Sequence, residues 1–135
     1  MRWSGDIADR LAVRELIEAY GDAVFRRDAD AFAATWTEDA VWELMGERRE
    51  GRDAIRSHWE GLMAGFDFAA MYWTGGGCRI GAAEGDGSWY ALEILTAKDG
   101  QHMTVSGRYD DRYRKGTDGV WRFAARTYTV LDSRD

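Results

Sequence analysis

Apolar residues in this chain keep a helical period through the first half and a strand period through the second. This switch limits the possible folds more than any other feature. Ile7, Leu11, Leu16, Ile17, Tyr20 and Val24 recur at three-to-five spacing between charged residues, which predicts a helix over 6–27 with Asp6 as its N-cap. A shorter helix is expected over 29–37, capped by Asp28 or Asp30, with Phe32, Ala33 and Trp36 on one face. Residues 40–45 read as a strand and 46–51 as a charged turn. A third helix over 52–64 carries Ile55, Trp59, Leu62 and Met63 as its apolar stripe. From there the pattern is a β meander. Strands are expected at 69–79, 89–97, 102–114 and 120–131, with Asp99-Gly100 and Asp118-Gly119 supplying turns. Helices first and antiparallel strands after is an α+β arrangement, with the helices against one face of the sheet. No repeat, linker or low-complexity stretch interrupts 1–135, so one domain is expected.

The chain is acidic, with a net charge of −6 over 135 residues. It lacks the basic stripe that nucleic acid demands, and an anionic membrane surface would repel it. Met1–Asp6 has no apolar core of a signal peptide, and no run approaches the length of a spanning helix. The lone Cys78 has no internal disulfide partner, so a cytoplasmic setting is expected. One cysteine and two histidines, His58 and His102, fit no zinc spacing, and no metal is expected. Seven Trp and six Tyr supply large apolar area with polar tips, suited to a core or to the lining of a pocket.

Three stretches resemble the SnoaL-like branch of the NTF2-like superfamily. The first runs from Ala12-Val13-Arg14-Glu15-Leu16-Ile17 through Tyr20 to Asp28-Ala29-Asp30-Ala31-Phe32. The second is Trp36-Thr37-Glu38-Asp39-Ala40-Val41-Trp42-Glu43 with Gly51-Arg52-Asp53-Ala54-Ile55. The third is Gly107-Arg108-Tyr109-Asp110-Asp111-Arg112-Tyr113 with Asp118-Gly119-Val120-Trp121-Arg122. The resemblance implies a cone: a curved, mostly antiparallel six-stranded sheet packed on three N-terminal helices around a cavity. That superfamily includes scytalone dehydratase, steroid Δ-isomerase, polyketide cyclases and a dehydrochlorinase, and also non-enzymatic binding and assembly domains. The fold therefore leaves the function open.

The dehydratase-like relatives use an Asp–His pair. The resemblance places that Asp at Phe25 and that His within Met71-Tyr72-Trp73, so the pair is absent. The steroid-isomerase pattern places its helix-one tyrosine at Tyr20 and its carboxylate at Leu44. Glu43 beside it is expected on the opposite face of the strand. Glu93 is the candidate base, because it interrupts the otherwise apolar Trp89–Leu95. A carboxylate in an apolar cavity has a raised pKa. The alternative is a Glu93 facing solvent or paired with Arg108 or Arg126. Tyr20 is the candidate proton donor or else a core tyrosine. Trp42, Leu44, Trp59, Tyr72 and Tyr109 are expected to shape the pocket. His58 and His102 are read as surface or packing residues, Asp111 as a sheet brace, and Gly75-Gly76-Gly77 as a bulge or flexible rim.

These readings point to a small-molecule pocket protein without a cofactor. A lyase or isomerase reaction such as dehydration, isomerisation or cyclisation is expected, on an apolar or polyketide-like cyclic molecule. The alternative is a non-catalytic ligand-binding or dimerisation domain of the same fold. A homodimer is expected through the outer face of the sheet, where Arg108 and Arg112 alternate with Tyr109 and Tyr113.

Overall fold

Helix α1, Ile7–Arg26, begins where Asp6 accepts a hydrogen bond from the backbone N–H of Asp9 and ends at Arg27 in the left-handed region. The computed structural model describes residues 2–135. Asp28 caps α2, Ala29–Ala34, through the N–H of Ala31. This helix is shorter than the expected 29–37. Trp36 leaves it to open a strand beside Phe123, and the N–H of Phe123 bonds to the carbonyl of Thr35. The third helix, α3, spans Arg52–Met63 and buries Ile55, Trp59 and Met63. The Trp59 ring stacks flat on Phe32 at 4.3 Å, tying α3 to α2.

The strands are β1 (Trp3–Ser4), β2 (Trp36–Leu44), β3 (Glu47–Glu50), β4 (Phe66–Ile80), β5 (Glu84–Ala97), β6 (His102–Lys115) and β7 (Trp121–Arg134). They form one curved sheet in the order β1-β4-β5-β6-β7-β2-β3. Pairing is antiparallel except for β1 with β4 and β2 with β7. The α+β cone is as the sequence implied, but the sheet has seven strands rather than six. Two of the seven carry no strand pattern in the sequence: the two-residue β1 at an edge, and β3, where a charged turn was expected. Its Arg48 bonds to Glu43 across the hairpin and to Glu50 along it, so polar side chains fill an edge strand that lacks apolar patterning. Met45 and Gly46, at φ 53° and 82°, form its two-residue turn.

Bulges set which side chains reach the interior. Gly76 is the extra residue between Gly75 and Gly77, so the glycine run is a β-bulge. On β7, Ala124 and Leu131 are extra residues opposite β6. Each bulge shifts the alternation by one. Trp121 and Phe123 therefore point inward, then Arg126 and Tyr128, and Ser133 after the second bulge.

Candidate active site

The concave face of the sheet and helices α1 and α3 enclose a cavity of about 430 Å³. Its buried end is formed by Tyr20 of α1 and Tyr109 of β6, and its open end by the exposed Met45, Leu62 and Val130. Trp42 and Leu44 of β2, Trp59 of α3 and Met71 of β4 line the walls. Met45, Met63, Met71 and Met103, every methionine of the described residues, line it too. Thioethers are polarisable and adapt to irregular shapes, so this wall suits a bulky apolar guest. The residues expected to shape the pocket thus meet in one place, with one exception. Tyr72 lies on the convex face, 52% exposed, with its ring against Phe25 at 5.7 Å. Met71, Tyr72 and Trp73 are all large and apolar. The alternation of β4 turns the outer two inward and Tyr72 out.

Glu93 is the only charged residue lining this cavity among the described residues. It takes neither arginine that could have claimed it. Arg108 bonds to Asp110 on the outside, and Arg126 to Asp111 in the core. The partner of Glu93 is the Tyr128 hydroxyl, which donates to Oε2 at 2.6 Å. Burial raises the Glu93 carboxyl above its ordinary value, and the Tyr128 hydrogen bond opposes that rise. Glu43, by contrast, faces outward to Arg48, while its neighbour Leu44 lines the cavity.

Three phenols lead away from Glu93. Tyr128 packs on Tyr109 at 4.6 Å between centroids, and Tyr109 on Tyr20 at 6.1 Å. Behind them lies Arg126, fully buried, its guanidinium 3.7 Å from the Tyr109 ring centre and 4.5 Å from that of Tyr20. Burial pushes the Tyr20 hydroxyl up to about 12, and the positive charge of Arg126 works against that rise. Tyr20 therefore stays protonated at neutral pH, as a donor must. Asp111 binds Arg126 through both carboxylate oxygens, at 2.7 and 3.2 Å, and accepts a third bond from Tyr113. Burial raises the Asp111 carboxyl above its ordinary value, and Arg126 and Tyr113 oppose that rise. The charge of Asp111 in turn holds Arg126 above the ordinary guanidinium range against its own burial. Asp111 is thus a brace, now with its partner named.

No imidazole lines the cavity. His58 of α3 is half-buried and packs edge-on against Trp42 without reaching the cavity, and His102 bonds to Thr96 at an exposed turn. Phe25 points outward, and Trp73 fills the space beside Gly21. Among the described residues no cluster of three His, Cys, Asp or Glu side chains could hold a metal ion. Sequence reasoning missed Tyr128 as a cavity residue. Simple alternation from Trp121 and Phe123 predicts that it faces outward, and only the bulge at Ala124 reverses it.

No curated protein sequence matches the chain. Solved structures match it over nearly its whole length. A candidate aromatic ring hydroxylase from Novosphingobium aromaticivorans is 30% identical, with a TM-score of 0.85 over 96% of this chain and 93% of that one. A candidate scytalone dehydratase from the same organism is 19% identical, with a TM-score of 0.84 over 96% and 88%. A hexachlorocyclohexane dehydrochlorinase from Novosphingobium barchaimii is 20% identical, with a TM-score of 0.82 over 95% and 90%. A family model, the SnoaL-like domain, covers residues 5–127, which takes in the three helices and Glu93 and ends one residue before Tyr128. On that match and that cone, the chain belongs to the SnoaL-like family of the NTF2-like superfamily.

Proposed function

We propose that this chain binds a neutral, small cyclic molecule in its cone and moves a proton on it by acid–base chemistry without a cofactor. One observation carries the reading: a lone carboxylate, Glu93, faces an apolar cavity whose closed end presents the hydroxyl-bearing rings of Tyr20 and Tyr109. An anionic ligand would meet Glu93 and find no cation in the lining, so the guest is neutral. The volume suits a molecule of two or three rings, such as a polyketide-like ketone.

The chemistry follows from the groups present. Ionised Glu93 takes a proton from carbon beside a carbonyl, breaking the C–H bond. The electron pair moves to the carbonyl oxygen, which accepts a hydrogen bond from Tyr20. Returning the proton from Glu93 to another carbon completes an isomerisation. Delivering it to a departing β-hydroxyl releases water and completes a dehydration. The elimination and the dehydration that the names of the dehydrochlorinase and the scytalone dehydratase candidate carry are reactions that also remove a proton from carbon. Here Glu93 would do the work without an imidazole. The free, buried Cys78 fits action in a reducing compartment such as the cytoplasm.

The test is hydrogen–deuterium exchange at carbon in D2O, followed by NMR over a panel of neutral cyclic ketones. The wild type is expected to exchange the proton beside the carbonyl. Glu93→Gln is expected to lose exchange by at least a hundredfold while still binding the ketone, because the amide keeps the shape and lacks the base. A Glu93→Gln variant that exchanges as fast as the wild type overturns the role of Glu93.

A second reading has its own support: Phe25 and the stretch Met71-Tyr72-Trp73 stand where relatives are expected to carry the Asp–His pair, which suits a binding domain that has lost its chemistry. Tight binding of a ketone with no exchange at any carbon would favour it.

A further inference from the structure

Gly107 lies on β6, inside the cone, between Val105 and Tyr109 on the same face. Backbone conformation does not require a glycine there, since its φ is not in the left-handed region. Space does. A Cβ at Gly107 would stand 2.1 Å from the Tyr128 hydroxyl and 2.2 Å from two carbons of its ring. The phenol therefore occupies the place of the missing side chain. Tyr128 starts on β7, crosses β6 over Gly107 and delivers its hydroxyl to Glu93 on β5. Any larger residue at 107 blocks that path. We infer that Tyr128 is a positioning residue for Glu93, and that Gly107 is the notch in β6 through which it reaches.

The device does two things, both resting on Glu93 being the base. It ties down Oε2, which fixes the plane of the carboxylate. Oε1 has no hydrogen-bond donor among the described residues and is left for a substrate proton. It also supplies a donor to the charged form, in a cavity that otherwise favours the neutral acid. The groups facing Glu93 are few. Met71 of β4 and Val105 of β6 flank it in register and do not titrate. Tyr20 of α1, Tyr109 of β6 and Tyr128 of β7 are phenols held above their ordinary range, largely by burial, and remain neutral donors. Arg126, also of β7, is the nearby cation and is committed to Asp111. Among all these, only Tyr128 bonds to Glu93.

The experiment is a pH titration of the Glu93 side-chain carboxyl by 13C NMR in the full chain, assigned by its loss in Glu93→Gln. Tyr128→Phe keeps the ring over Gly107 and removes only the hydroxyl. Its Glu93 midpoint is expected to rise by about one pH unit or more. Gly107→Ala, which pushes the ring aside, is expected to raise it likewise, and Tyr113→Phe, whose hydroxyl serves Asp111, to leave it in place. Should Gly107→Ala not fold, Tyr128→Phe decides alone. An unchanged or lowered midpoint in Tyr128→Phe overturns the inference. The readout needs no turnover. A raised midpoint in a protein that never exchanges a carbon-bound proton removes the base reading and keeps the pairing, whereas exchange with an unmoved midpoint does the reverse.

Discussion

At the scale of single residues, the site depends on how an apolar cavity treats charge. Glu93 has no cation to offset its burial, so its carboxyl titrates above the ordinary 4.5 in the folded chain. Between the unfolded and the folded pKa the native state holds a proton that the unfolded chain has released. Stability therefore falls as pH rises through that window. Urea unfolding measured across the window should show this decline in the wild type and a flatter curve in Glu93→Gln, which carries no charge to bury. A Gln variant that declines as steeply would place the titrating group elsewhere. Arg126 shows the opposite solution. Its charge lies deeper than that of Glu93, yet Asp111 and the faces of Tyr109 and Tyr20 surround it, so it remains a cation. Glu93 was legible in the sequence as the one charge in an apolar strand. Tyr128 was not, because nothing near it in the chain shows that it crosses a glycine on the next strand.

Between elements, the closeness of α1 to β4 rests on Gly21. A Cβ there would lie 2.6 Å from Nε1 of Trp73, so the helix needs a glycine where propensity favours alanine. Gly21→Ala gains up to about 1 kcal/mol of helix propensity but drives a methyl group into a packed indole, which costs about 1–3 kcal/mol. The expected net result is a lower urea midpoint with an unchanged slope, and a raised midpoint would mean that Trp73 can move. The helices were readable from the sequence because their period, their Asp6 and Asp28 caps and their polar faces are local properties. β3 was not. Its Glu47-Arg48-Arg49-Glu50 has no apolar alternation, and it becomes a strand only because Met45 and Gly46 fold it back on β2.

On the whole molecule, the convex side of the sheet carries a cluster of exposed apolar side chains. Tyr72, Tyr90, Leu92 and Ile94 are each 40% exposed or more and sit together across β4 and β5, with Phe25 alongside. We propose that a second copy of the chain covers this face. A stable dimer needs about 800 Å² from each partner, which a sheet face of this breadth can supply. Sedimentation at micromolar concentration is expected to show a dimer for the wild type and a monomer for Leu92→Glu. A monomeric wild type would remove the proposal. No helix among the described residues is long and apolar enough to cross a membrane.

The sequence by itself determined the order of the three helices and of five of the seven strands, the helix boundaries to within a few residues, and an aromatic, acidic composition. These follow from periodicity, caps and turn residues that act over a few positions. It also singled out Glu93 and Tyr20, because polar groups among apolar ones can be read without knowing their neighbours. Only the tertiary structure decided which way the strands face. Met71, Tyr72 and Trp73 allow either parity, and the bulges at Gly76, Ala124 and Leu131 each reverse it. A bulge is a mismatch between two strands, so no single strand reveals it. That mismatch turned Tyr72 outward, brought Arg126 and Tyr128 inside, and made Gly107 the notch beside the carboxylate.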